Sequence, residues 1–344
     1  MTTSSTGSPL VTQFVVASRY LPVYLALAVL IVVAALWAPS TLSGVSLRAI
    51  APYGALLGIT ALGQMLVIMT GGIDLSTPGV VTLAAAITVG VGQQSDERIG
   101  VAILTAVGVA ALIGLVNGIL IGGISLNALI VTLAMGQVVI GIVNRYGRSF
   151  PVQSSVPEAL IDWTRIRIFG ISPVFWLGLA ITIFLMLGFR YTAVGRRFQV
   201  VGANPVASHV VGIRVNLNRI LVYVVAAVLY ALAGVALAGL LRTPGVAAAN
   251  QYLLGPIAAV VIGGASLTGG LASSMSTFVA AIFLTGLNQM LLALGLPTAI
   301  QFVVFGLVII GGMLVSGDRI IKGVEWTLRD RRRPGRPEGG AQET

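Results

Sequence analysis

Ten uninterrupted apolar stretches, near residues 20–38, 49–69, 77–92, 100–121, 127–144, 173–189, 219–241, 253–267, 272–294 and 297–315, dominate this 344-residue chain. Most approach the ~20 residues that carry an α-helix across a bilayer. They are continuously apolar, whereas the strands of a membrane barrel alternate over about ten residues. Only 9% of the residues are charged, against about 25% in soluble domains. The chain reads as an all-α polytopic membrane protein, a bundle of about ten transmembrane helices. The stretches 77–92 and 253–267 are short and glycine-rich, so short or broken helices are expected near 71–92 and 253–270, with eight spans as the alternative.

Charge sets the expected topology. The net charge of +10 comes mainly from Arg190, Arg196, Arg197, Arg214 and Arg219 in the segment 190–219, and from Arg319, Lys322, Arg329, Arg331, Arg332, Arg333 and Arg336 in the tail. Basic residues beside spans are retained in the cytoplasm. Residues 1–19, rich in Ser and Thr, and the basic segment 317–344 therefore read as cytoplasmic tails around a membrane domain at 20–316, leaving 145–172 and 242–252 outside. No short apolar core with a small-residue cleavage site precedes the first span, which reads as the insertion signal. The arginines flank spans and do not share one folded surface, so the charge points to membrane lipid and not to nucleic acid.

Several chemistries lack their residues. A phosphate-cradling loop needs a lysine after its glycines, and Lys322 is the only lysine. With one histidine, His209, and no cysteine, paired-histidine and thiolate metal sites are excluded. No nucleophile elbow or membrane-embedded pair of aspartates suggests a hydrolase. Asp74 is the one acid at membrane depth, too few for an ion-coupled transporter, so energy is expected from a separate subunit.

The segment Met69-Thr70-Gly71-Gly72-Ile73-Asp74-Leu75-Ser76-Thr77-Pro78-Gly79 interrupts two apolar runs. It reads as a helix end, a tight connection and a new helix start, with Ser76 or Thr77 as N-cap and Pro78 in the first turn. Polar backbone and charge at membrane depth must face protein or a water-filled path, which points to a transport route. Asp74 either orients a gate or meets a polar solute, or else complements the positive end of the following helix.

Between two later spans, residues 195–213 read as a short helix that Asn204 caps, Pro205 opens and Gly212 ends. Its apolar positions Val206, Val210, Val211 and Ile213, with His209 beside them, suit a groove on a partner; the alternative is a plain surface connection.

Three motifs carry a resemblance. Gly-Gly-Ile-Asp-Leu-Ser at 71–76, Gly202-Ala203-Asn204-Pro205-Val206-Ala207 ending at Gly212-Ile213, and the run Ile257–Gly270 occur in order. Together they resemble the permease subunits of bacterial ribose, xylose and galactose-type ABC importers. The resemblance implies a permease dimer (two copies or a paralogous pair), two cytoplasmic ATPase subunits or one tandem ATPase, and an external sugar-binding protein. It places the chain in the inner membrane. ATP and Mg²⁺ belong to the partner ATPase, and no cofactor or metal is expected on this chain. It also implies that Asn204, Pro205, Val206, His209, Val210, Val211 and Gly212 form the coupling helix that docks in the ATPase. One departure stands out: relatives commonly carry Glu-x-Asp before the Ile-Ala-Ala run, whereas this chain has Tyr252-Leu253-Leu254-Gly255-Pro256.

The sequence expectation is therefore a non-enzymatic transport subunit for a monosaccharide or similar small polyol, with a self-sufficient secondary transporter as the alternative. Hydroxyls stripped of water need amide and hydroxyl partners. Gln64, Gly71, Gly72, Asp74, Ser76, Asn117, Asn127 and Asn288 are the candidate path and gate residues, with Gln137, Asn144, Gln289 and Gln301 as further amides in or beside the spans. Arg145, Arg148, Arg165, Arg167 and Arg242 form a candidate rim for the binding protein. The second glycine run, 263–270, loosely echoes 71–76, either as a duplication or for close helix packing.

Overall fold

A computed structural model describes residues 9–147, 155–245 and 248–316. The expected tail residues 1–8 and 317–344 and the candidate Arg148 lie outside the described residues. Thirteen α-helices follow one another: α1 (Pro9–Trp37), α2 (Gly44–Met69), α3 (Thr77–Gly92), α4 (Ile99–Gly118), α5 (Ala128–Gly147), α6 (Glu158–Arg165), α7 (Pro173–Tyr191), α8 (Ala193–Ala203), α9 (Pro205–Val210), α10 (Val215–Leu241), α11 (Gly255–Ile262), α12 (Ser274–Ala293) and α13 (Thr298–Ser316). A π-helical turn, Ile119–Gly123, extends α4. The described residues form no strand beyond a single bridge between Ile168 and Ile171.

Among the described residues, seven helices are long and apolar enough to cross a membrane. Three shorter apolar helices, Thr77–Gly92, Asn250–Ile262 and Ala299–Gly312, occupy the remaining apolar stretches of the sequence. The protein is thus an all-α polytopic membrane protein. Both expected weak spans are short helices next to breaks. Helix α1 starts at Pro9, ahead of the boundary expected near residue 20. The segment expected as one short helix at 195–213 is two helices, α8 and α9, hinged at Asn204.

Helix α2 is the axis of the bundle. Its most apolar window is 94% buried, against 17% for α1 and α7, because α10, α12, α7 and α11 surround it. A helix that is apolar all round belongs in such a position. In lipid there is no hydrophobic difference between neighbouring helices and hydrocarbon, so close backbone approach has to hold them together. Helix α4 shows how. Ala102, Ala106, Ala110, Gly114, Gly118 and Gly122 recur every fourth residue and are all buried. A Cβ on Gly118 would lie 2.8 Å from the Ile220 Cα of α10, and one on Gly122 2.9 Å from the Arg219 Cβ. This small-residue ladder seats α10 directly on α4.

At one end of the bundle the α1 residue Arg19 donates from Nε to the Gly264 carbonyl at 2.6 Å, and α8 meets the C-terminal end of α2. At the opposite end α6 is anchored to α10, with the Thr164 hydroxyl 3.3 Å from the Gly239 carbonyl.

Candidate functional site

The break between α2 and α3 is a polar segment inside the bundle whose backbone is held largely by side chains. Helix α2 ends where Gly71 takes φ +84°, a left-handed conformation open to glycine. The Gly71 N–H then bonds the Ile68 carbonyl and the Gly72 N–H the Val67 carbonyl, at 2.9 and 3.1 Å. Beyond them residues 73–76 belong to no helix, and side chains from other elements take over. The Gln64 amide of α2, oriented to satisfy both its ends, accepts from the Asp74 N–H at 3.1 Å and donates to the Asp74 carbonyl at 3.0 Å. Its partner on the far side is the Tyr230 hydroxyl of α10, 3.1 Å away. From α5, the Thr132 hydroxyl accepts from the Leu75 N–H at 2.9 Å and lies 3.3 Å from the Ile73 carbonyl. Two side chains thus do what a neighbouring strand would do for an extended segment, as burial of bare backbone requires.

The Asp74 carboxylate is 2% exposed. Its Oδ1 accepts from the Ser76 N–H at 2.9 Å and from the Ser76 hydroxyl at 2.6 Å. Ser76 is the N-cap residue of α3 by position, but its hydroxyl caps nothing; it is committed to Asp74. Asn117 of α4 donates to the Ser76 hydroxyl at 3.2 Å. The result is a chain Asn117–Ser76–Asp74 at the positive end of α3, where a negative charge is favoured.

Of the candidate path residues, Gln64, Gly72, Asp74, Ser76 and Asn117 come together around this break, with Gly71 as its turn. Asn127 does not join them. It is exposed, and its side chain caps α5 by accepting from the Leu129 N–H at 3.0 Å. Asn288 is half-buried on α12. Sequence reading missed Thr132 and Tyr230. Both lie in helical runs where nothing local distinguishes a clamp from an ordinary core residue.

Directly at this break, three motifs that are far apart in sequence touch. The Gly270 N–H donates to the Met69 carbonyl at 2.8 Å. Gly202 of α8 presses against the same carbonyl oxygen, so any Cβ there would overlap it. A Cβ on Gly269 would lie 2.7 Å from the Gly202 carbonyl oxygen. The 71–76 break, the 263–270 run and the 202–212 loop thus share one seam, and close packing explains the glycines of the second run.

From the seam, α9 projects outward. Asn204 caps it by accepting from the Ala207 N–H at 2.9 Å, and Pro205 occupies its first turn. The buried Ser208 hydroxyl lies 3.1 Å from the Val200 carbonyl and 2.8 Å from that of Asn204, tying α9 back to α8. Gly212 ends the element at φ +79°. Val206, Val210 and Val211 are 76%, 83% and 70% exposed, and His209 is exposed beside them.

At the opposite end, the Val156 N–H bonds the Arg242 carbonyl at 3.2 Å, drawing the two expected external segments together. Arg145, Arg165, Arg167 and Arg242 are exposed there. Arg167 folds back, with Nη1 2.7 Å from the Arg165 carbonyl. The acids Asp96, Glu97, Glu158 and Asp162 are exposed at this end too, and Asp96 caps α6 through the Ala159 N–H at 2.8 Å. The rim is therefore mixed in charge, a feature invisible when the arginines alone are counted.

A bundle of apolar helices around a polar break, with a rigid apolar projection at one end, is the architecture of a transport subunit. A family model described as "Branched-chain amino acid transport system / permease component" matches residues 46–313, and the chain belongs to this permease family. It is 32% identical over 299 residues to the ribose import permease protein RbsC of Escherichia coli K12, covering 86% of this chain and 92% of that protein. It is 30% identical over 303 residues to the autoinducer 2 import system permease protein LsrC of Enterobacter sp. strain 638, covering 87% of each. To the galactose/methyl galactoside import permease protein MglC of E. coli K12 it is 29% identical over 306 residues, covering 84% and 91%. No solved structure gives a significant match.

Proposed function

We propose that this chain is the membrane-spanning subunit of an ATP-driven importer for a monosaccharide or similar small polyol, working as a dimer by alternating access. The observation that carries the reading is the exposed valine cluster of α9, because apolar side chains on a rigid element outside the spans call for a protein partner. In this reading the partner is an ATPase, present as two subunits or one tandem chain, which binds the ATP and Mg²⁺ that this chain has no motif for. An external binding protein delivers the solute to the end bearing Arg145, Arg148, Arg165, Arg167 and Arg242. The α9 end, both termini and the 317–344 tail face the cytoplasm, and 20–316 is the membrane domain. The relatives named above, which import ribose, autoinducer 2 and galactosides by their names, support the solute class.

The seam supplies a mechanical route. Movement of α9 with its ATPase is passed through α8 and Gly202 to the Met69 carbonyl, and so to both breaks at once. Gln64, Gly71, Gly72, Asp74, Ser76 and Asn117 act as the gate of this route rather than as an open lining, while Asn127 and Asn288 sit at its margins. Gln137, Gly141 and Asn144 share one exposed face of α5. Amides facing lipid are costly, so this face of two protomers suits the wall of the path. Carrying the Val210→Asp and Val211→Asp changes together should leave the permease inserted and abolish co-purification of the ATPase. Unchanged co-purification overturns the assignment.

A further inference from the structure

Beside the break, walled in part by Gly71 and Gly72, lies a recess of about 180 Å³. It opens at the same end as α8 and α9 and is lined by Thr70, Gly72, Ser125, Arg219 and Tyr223 among others. Its volume is below the roughly 300–1,000 Å³ of pockets that engulf an organic ligand, and equals about six waters at ~30 Å³ each. The Tyr223 hydroxyl is buried without a hydrogen-bond partner, with the residue 1% exposed. It stands over Gly72, where a Cβ would come within 2.5 Å of that oxygen. A buried hydroxyl left unmatched costs folding energy unless something occupies the space in front of it. Arg219, half-buried, is the one charged residue of the lining, and no carboxylate lines the recess. The Asp74 carboxylate is near enough to act electrostatically on Tyr223, with its Oδ1 committed to the Ser76 N–H and hydroxyl.

We propose that this recess binds a single phosphate-type oxyanion, held by the Arg219 guanidinium and the Tyr223 and Ser125 hydroxyls. Arg219 is cationic, both hydroxyls can donate, and a guanidinium fork matches the geometry of phosphate oxygens. Bound phosphate ties the Thr70–Gly72 turn to α10 and to the α4–α5 turn. The occupant therefore restrains the same break that the Met69 seam connects to α9. The phosphate comes either from solution or from a lipid headgroup reaching the rim of the bundle.

The test uses the full-length permease in maltoside micelles, following its thermal midpoint against sodium phosphate at constant ionic strength balanced with chloride. A saturable rise of roughly 2–4 °C is expected for the wild type. Arg219→Gln should weaken the half-saturation about tenfold or more, and Tyr223→Phe should also diminish the rise. Tyr223→Phe removes only an unpartnered hydroxyl, so it is expected to fold at least as well as the wild type. No saturable rise in the wild type, or a rise that both variants retain in full, overturns the proposal. In nanodiscs, a phosphate response present in digalactosyldiacylglycerol but absent in phosphatidylglycerol assigns the site to a lipid phosphate; a response in both assigns it to free phosphate.

Discussion

The connections after α2 and after α11 end their helices alike and satisfy their backbones differently. Gly71 and Gly264 both take φ +84°, and in each the following residue reaches back five positions, Gly72 to Val67 and Ala265 to Val260. After that they part. The first connection carries its own carboxylate, and Asp74 and Ser76 organise one another across two residues. The second carries no charge and borrows one: Arg19, 245 residues away, donates to the Gly264 carbonyl, and Gly270 leans on Met69. Polar groups of a break in an apolar bundle must be matched inside the protein. The first connection brings its own charge and is clamped at its backbone by Gln64 and Thr132, whereas the second takes its charge from α1 and is fixed to α1 and α2.

The sharpest way to break this comparison is at the point the two connections share. Gly202→Ala places a methyl on the Met69 carbonyl, which is backbone and cannot rotate aside, so a loss of about 3 kcal/mol or more is expected. It should appear as loss of monodisperse protein on size-exclusion chromatography, while Gly100→Ala, which meets nothing within 4 Å, elutes normally. Equal profiles would mean that the seam is loose.

Arg19→Met tests the borrowed connection alone. A hydrogen bond from a charged donor is worth about 1.5–3 kcal/mol, and its loss leaves the Gly264 carbonyl without that donor. Hydrogen exchange should rise across 263–270 and stay unchanged across 71–76; a rise in both segments would show that the connections are not separately supported. Thr132→Val is the converse probe. It keeps the shape but strips the Leu75 N–H of its acceptor, costing about 1–3 kcal/mol, and the faster exchange should be confined to 73–76.

The smallest effect is expected from Asp74→Asn. The amide oxygen still accepts from Ser76, so the loss should be roughly 0.3–1 kcal/mol with near-normal uptake. If the variant reaches the membrane at normal abundance and uptake collapses, the charge itself serves gating or the solute, and organising Ser76 is not the whole role of Asp74.

How much of this was legible depended on the range of the cause. The left-handed stop at Gly71, the Asn204 cap, the Pro205 start and the stop at Gly212 follow from residues within a few positions of one another. All were readable. The ladder Ala102–Gly122 was also written in the chain, as a small residue every fourth position, but a continuously apolar stretch masks such a pattern until a neighbour is known. Of the two N-cap candidates, Ser76 and Thr77, the structure puts Ser76 at the position, but its hydroxyl serves a carboxylate two residues earlier rather than the helix. Counting arginines alone gave a basic rim at the end expected to lie outside, and the fold interleaves acids among them.

The sequence by itself determined that this chain is a bundle of membrane helices interrupted by a polar break and carrying an exposed apolar element on a basic loop. Those properties arise from hydrophobic length, local turn chemistry and charge beside spans, which act without reference to distant residues. Only the tertiary structure decided that Gln64 and Thr132 clamp the backbone of the break, that Arg19 supports the second connection, and that Gly202, Met69 and Gly270 form one seam. Apart from the Gln64–Asp74 pair, each joins residues dozens to hundreds of positions apart, and in a bilayer such contacts depend on how closely particular backbones approach, a quantity fixed by the assembled bundle and not by any stretch of the chain.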